Sequence, residues 1–241
     1  METKTEKRNI AKELQARINA IQGLGRPSGD RTHRLAPFES AFPGRVFPLG
    51  AIHEFVSHQP AHAASTSGFI SALAGKLLQR DGLCLWVSPE RSIFPAGLRH
   101  FGLEPERIVF VHPKKTKDAL WVTEEALKCQ ALTTVIADIR DLGFTESRRL
   151  QLAAEKSGVT GFIHRFSPFS ENAVACAARW KITPLPSAAG HLPGIGYSCW
   201  EVQLTRVKNG RPFSWKVSWS GQFVNLEEAA LPVRNLERYT G

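Results

Sequence analysis

Asp138 and Glu90 are the carboxylates that the sequence places best for chemistry. Asp138 closes the apolar run TTVIA, where a P-loop protein keeps its acidic magnesium partner, and Glu90 stands two residues past the apolar run LCLWVS, where a carboxylate can activate a water. Without the rest of a nucleotide site, both are expected to be ordinary turn or cap residues, since a parallel strand often ends in one. The phosphate loop such carboxylates would serve belongs between the strand AIHEFV (51–56) and the helical stretch ending near residue 80, because backbone N–H groups at a helix N-terminus cradle phosphate. The intervening SHQPAHAASTSGFISALAGKL lacks GxxxxGK[ST]. Gly68 is followed by Phe69 and Ile70 where the phosphate lysine and the magnesium Ser or Thr would stand. Losing two charged hydrogen bonds of about 1.5–3 kcal/mol each weakens nucleotide binding by hundreds, so any site here is expected to be vestigial, with no catalytic residues and no cofactor.

The other candidate ligands are weaker. His58 and His62 share a helix face only if the helix runs through Pro60, which disfavours it, so neither they nor His53 are expected to bind metal. Cys84, Cys129, Cys176 and Cys199 form no CxxC pair and are expected to be reduced, buried thiols. The PGIGY stretch at 193–197 opens no helix and is not a dinucleotide fingerprint.

Short apolar runs alternate with amphipathic stretches in the elements that would position these groups. Strands are expected at 51–56, 83–87, 108–112, 133–138 and 160–165, with helices near 67–80, 95–101, 117–130 and 145–157. That rhythm is an α/β fold with a parallel, doubly wound core. Beyond Phe166 the pattern becomes two-residue alternation, with Val174, Cys176, Ala178, Trp180 and Ile182 on one side. Runs at 198–207 and 213–219 flank Asn209-Gly210, a strong hairpin signal, so an antiparallel C-terminal extension is expected. Three parts follow: an N-terminal helix plus linker (1–44), a core (45–223) and a tail (224–241).

Of 241 residues, 31 are basic and 22 acidic, for a net charge of +9. Residues 1–34 and 178–241 each carry 8 basic against 4 acidic groups, so the excess sits at the two ends. Basic ends suit nucleic acid or an acidic protein surface. Lys114, Lys115 and Lys117, after a strand, and Lys208 with Arg211 at the hairpin tip are the candidate DNA contacts. Within EKRNIAKELQARINAIQ (6–22), Ile10, Leu14, Ile18 and Ile21 form an apolar stripe on a helix, followed by a Gly/Pro/Arg-rich linker, which fits docking on a partner. No apolar run approaches the roughly 20 residues of a membrane span, and the charged start is unlike a signal peptide, so a cytoplasmic protein is expected, with nucleoid association if the basic ends meet DNA.

From about residue 6 to 223 the chain resembles the ImuA family. The resemblance rests on PLGAIHEF (48–55), LCLWVSPER (83–91), IFPAGLRHFGL (93–103), LWVTEEALKC (120–129), SRRLQLAAEKSG (147–158), RWKITPLPS (179–187), PGIGYSCWEVQL (193–204) and VKNGRPFSW (207–215). It implies a RecA-like mixed sheet and an accessory role in SOS-induced translesion synthesis. The implied partners are an ImuB-type polymerase-like protein, a DnaE-type polymerase and single-stranded or damaged DNA, with self-association possible. It also places His164-Arg165 where a recombinase has its nucleotide-sensing pair, which adds Arg165 to the vestigial site. A DNA-stimulated ATPase of recombinase type and a SulA-like division inhibitor are the competing expectations.

Overall fold

In the computed structural model, the described residues are 35–78, 82–90, 93–188 and 196–229. Leu35, Phe38 and Phe42 are buried side chains in and beside the short 3₁₀ turn Phe38–Ala41. The regular elements that follow are β1 (Ile52–Ser57), α1 (Pro60–Leu78), β2 (Cys84–Val87), β3 (Ile108–Val111), α2 (Thr116–Lys128), β4 (Thr134–Asp138), α3 (Phe144–Ser157) and β5 (Thr160–Phe166). Strands β6 (Ala178–Ala188), β7 (Tyr197–Val207), β8 (Phe213–Trp219) and β9 (Phe223–Asn225) come next, and the short α4 (Leu226–Ala229) closes the described residues. The sheet runs β3-β2-β4-β5-β1-β6-β7-β8-β9. Pairing is parallel from β3 through to β6 and antiparallel from β6 to β9. This is the expected parallel core with an antiparallel C-terminal extension.

Alternation along each strand sorts the core into two layers. Phe55, Trp86, Ile136, Phe162 and Trp180 face the side covered by α1, while Ile52, Val87, Val135 and Ile163 face α2 and α3. The first layer is strongly aromatic. Phe38 stands edge-on to Phe69, Trp180, Trp215 and Phe223, with ring centroids 4.9–5.9 Å apart. Residues 35–44 therefore pack as part of the body, on the N-terminal side of the expected boundary at 45. The tail boundary moves as well, because β9 continues the sheet to Asn225 and the helix α4 follows it to Ala229.

Strand positions agree with the sequence to within about a residue, but two elements differ. Helix α1 begins at Pro60 rather than near 67, since proline is favoured in the first turn, where its missing N–H has no helical acceptor in any case. The alternation from Val174 to Ile182 is not one strand face. Pairing with β1 starts only where Ala177 N–H donates to Ile52 O, so Val174 and Cys176 lie in the α3-side layer and Ala178, Trp180 and Ile182 in the α1-side layer. The expected hairpin forms, with Asn209 at φ 59°, a conformation Asn adopts more readily than most residues.

Candidate functional site

The carboxyl ends of the parallel strands are where such sheets bind ligands. Here β1 ends at Ser57, β2 at Val87, β3 at Val111, β4 at Asp138 and β5 at Phe166. Only His58 and Gln59 separate β1 from α1, so there is no room for a loop that wraps a phosphate. Gly68, Phe69 and Ile70 sit in the third turn of α1, more than ~12 Å from its N-terminus at 1.5 Å per residue. Phe69 and Ile70 are fully buried, and Gly68 lies so close to Phe101 that an added Cβ would come within 3.0 Å of its ring. These three residues do not face the strand ends, which corrects their placement in a vestigial nucleotide site.

The space beside β1 is filled by a hydrogen-bonded chain of side chains. Ser57 Oγ lies 2.8 Å from His164 Nε2, and His164 Nδ1 lies 3.2 Å from Asp138 Oδ1. Trp86 Nε1 donates to Asp138 Oδ2 at 3.2 Å. Both Asp138 oxygens are engaged, so this carboxylate acts as a structural acceptor. The order serine, histidine, aspartate has the atoms of a nucleophilic triad. Ser57, however, is only 2 % exposed, which makes its Oγ the buried end of a chain rather than an accessible nucleophile. Glu90 is exposed in a turn in which Ser88 Oγ donates to the Glu90 carbonyl.

Arg165 follows His164 on β5 and therefore points to the other face of the sheet. It does not share the site of Asp138 and His164, which corrects its expected position beside a nucleotide. It lies 1 % exposed and donates from Nη1 to Glu54 Oε1 at 2.8 Å, while Arg179 Nε donates to Glu54 Oε2 at 2.5 Å. Arg165 also donates to the carbonyls of Arg140 and Ser170 and to Asn172 Oδ1, and Arg179 donates to Asn172 O. Asn172 Nδ2 in turn donates to Leu142 O. One fully buried carboxylate thus anchors two arginines, and the arginines lace the loops after β4 and β5 together. Sequence reasoning missed Glu54, although an acid in the middle of AIHEFV was the available signal, because a buried charge must be paired. Beside it, burial and then the Glu54 charge push the Cys176 thiol up to about 12.

The histidines are separated by role. Burial lowers His53 to about 4; its Nε2 donates to Pro48 O, and its Nδ1 accepts from Trp180 Nε1. His58 instead meets Glu171, which also receives Lys181. Burial works to raise the Glu171 carboxyl, but the bonds from Lys181 and His58 outweigh it and hold it below its ordinary value. Among the described residues no group of three or more His, Cys, Asp or Glu could hold a metal ion. Of the cysteines, Cys84 and Cys199 are buried, Cys176 is partly so, and Cys129 is exposed at the end of α2, contrary to the expectation for all four.

The basic candidates do not form one patch. Lys114, Lys115 and Lys117 are exposed at the carboxyl edge, around the start of α2. Lys208 and Arg211 lie at the β7–β8 tip, and Lys208 N–H bonds to Ala177 O beside the start of β1. The tip is therefore at the amino edge, on the far side of the sheet from the lysines, six strand spacings or roughly 28 Å away across the sheet as well as a strand length along it. Ile10, Leu14, Ile18 and Ile21 lie outside the described residues. Among the described residues no helix is long and apolar enough to cross a membrane.

No family model matches the chain. Two curated relatives, both named Protein ImuA and both from Caulobacter vibrioides (strains NA1000 / CB15N and ATCC 19089 / CIP 103742 / CB 15), are each 31% identical to it over 192 residues. The match covers 73% of this chain and 78% of each relative. The chain belongs to the ImuA family. Among solved structures, the crystal structure of SulA from Pseudomonas aeruginosa is similar to part of this ImuA-family chain. It is 20% identical, with a TM-score of 0.42, and the match covers 48% of this chain and 97% of SulA.

Proposed function

We propose that this ImuA-family chain is a non-catalytic accessory factor in SOS-induced error-prone translesion synthesis, assembling an ImuB-type polymerase-like protein and a DnaE-type polymerase at damaged DNA. Family membership is the observation that carries the reading. The strand ends support the non-catalytic part: β1 passes into α1 through two residues, and Asp138 is bound on both oxygens. DNA contact is assigned to the carboxyl-edge lysines Lys114, Lys115 and Lys117, and partner contact to the stripe Ile10, Leu14, Ile18 and Ile21. A cytoplasmic, nucleoid-associated location goes with this work.

The test pairs a cellular and a biochemical readout. Deleting the gene should remove most damage-induced mutation, and restoring the wild-type chain should return it. Magnesium-ATP should leave the thermal midpoint of the purified protein unchanged. Unaltered mutation frequency in the deletion strain would refute the pathway, and a nucleotide-dependent midpoint shift with DNA-stimulated phosphate release would replace the accessory reading with an ATPase. Filamentous cells on expression, with no effect on mutagenesis, would point to division inhibition instead.

A further inference from the structure

The loops after β4 and β5 hold apolar side chains out in water on a rigid support. Phe169 is 82 % exposed, and Phe144 and Phe166 on the flanking segments are also exposed. An isolated exposed apolar residue needs no explanation, but this one is braced from several sides. Phe169 N–H donates to Asp141 Oδ1 at 3.0 Å, and Arg140 Nε donates to Ser167 O at 2.9 Å. Arg165 and Asn172 tie the same two loops together from beneath. Ser167 takes φ 46°, an unfavourable conformation for serine that persists only where its surroundings impose it. The Arg140 guanidinium lies 4.2 Å from the centre of the Phe169 ring, and its side chain is more than half exposed. A cation and an aromatic face are thus presented to solvent as a unit.

We infer that Arg140 and Phe169 hold one nucleotide of a single strand, with Phe169 stacking on a base and Arg140 meeting the adjoining phosphate. Stacking platforms beside cationic tracks are how proteins hold single strands without reading sequence. The charges favour nucleic acid as the occupant. On these loops Asp141 is engaged by Phe169 N–H and Arg140, and Glu171 by His58 and Lys181. Lys114, Lys115 and Lys117 lie exposed on the same edge, two strand spacings from the end of β4 and three from the end of β5, roughly 10–15 Å. A strand leaving Phe169 along this edge reaches them. A duplex hides its base faces and would not use the phenylalanine. The inference deepens the proposed DNA contact and rests on that reading.

The experiment is fluorescence anisotropy of the full chain with labelled oligothymidylate and with a duplex of equal length, each at several salt concentrations. Phe169→Ala should weaken single-strand binding about tenfold while leaving the salt slope unchanged, and Phe169→Trp should retain affinity. Arg140→Ala should lower the slope by about 0.7, the value of one phosphate on a single strand. Phe169 is mostly in solvent, so its variants should fold, which their melting curves would verify. Wild-type protein that binds neither probe at any salt would overturn the DNA reading and this inference together. Wild-type binding that Lys114→Ala with Lys115→Ala weakens but Phe169→Ala does not would overturn the inference alone. Equal losses of duplex and single-strand affinity in Phe169→Ala would also overturn it, because stacking cannot act on a closed duplex. Loss of binding to the purified ImuB-type partner with DNA affinity intact would make the patch a protein interface and overturn the nucleotide assignment.

Discussion

Glu54→Gln should be among the most damaging single substitutions in this protein. The carboxylate is fully buried and receives Arg165 at 2.8 Å and Arg179 at 2.5 Å, and those arginines are themselves 1% and 12% exposed. The amide keeps the volume and can still accept from one arginine, but it removes the negative charge that pairs with both. Removing one partner of a buried ion pair costs about 3–5 kcal/mol, because the remaining charge stays desolvated. Two cations are stranded here, so the upper part of that range applies, a large share of the 5–15 kcal/mol that holds an ordinary domain together. For a body of this size each kcal/mol moves the thermal midpoint by about 2–4 °C, which gives a fall of roughly 8–20 °C. Urea unfolding followed by far-ultraviolet circular dichroism measures it, with the midpoint shifted and the slope unchanged. A loss below about 1 kcal/mol in Glu54→Gln would refute the reasoning.

Other consequences follow from the buried groups. His53 falls from 6.5 to about 4 on folding, so the unfolded chain binds a proton the native state refuses and stability declines as pH drops through that window. The contribution approaches about 3 kcal/mol at the acid end, and His53→Phe should remove that part of the wild-type pH dependence in denaturation curves taken between the two values. Phe38→Ala should cost about 3–5 kcal/mol by emptying a site among four aromatic rings, and a cost near zero would return residues 35–44 to the linker. In the native protein Cys129 should react first with a thiol reagent at mildly alkaline pH. Cys84 and Cys176, both pushed up to about 12, should wait for unfolding, and rapid modification of either would contradict their burial.

The positions of β1 to β5 and the β7–β8 hairpin were legible in the sequence, because apolar period and turn chemistry are local properties that any packing arrangement must respect. The absence of a phosphate lysine was legible too, since it is a matter of which residues are present. Other features depended on distance across the sheet. His164 and Arg165 are neighbours in the chain yet serve opposite faces, one in the Ser57–Asp138 chain and one with Glu54. Lys114 and Lys208 carry the same charge and look alike as loop residues, but strand direction sends them to opposite edges. Arg140 and Phe169 are 29 positions apart and meet only because β4 and β5 end side by side. Local pattern determines which residues face in or out of an element, whereas the order and direction of strands in the sheet decide which of those residues share a site. That order is set by long-range burial, which no short window of sequence contains.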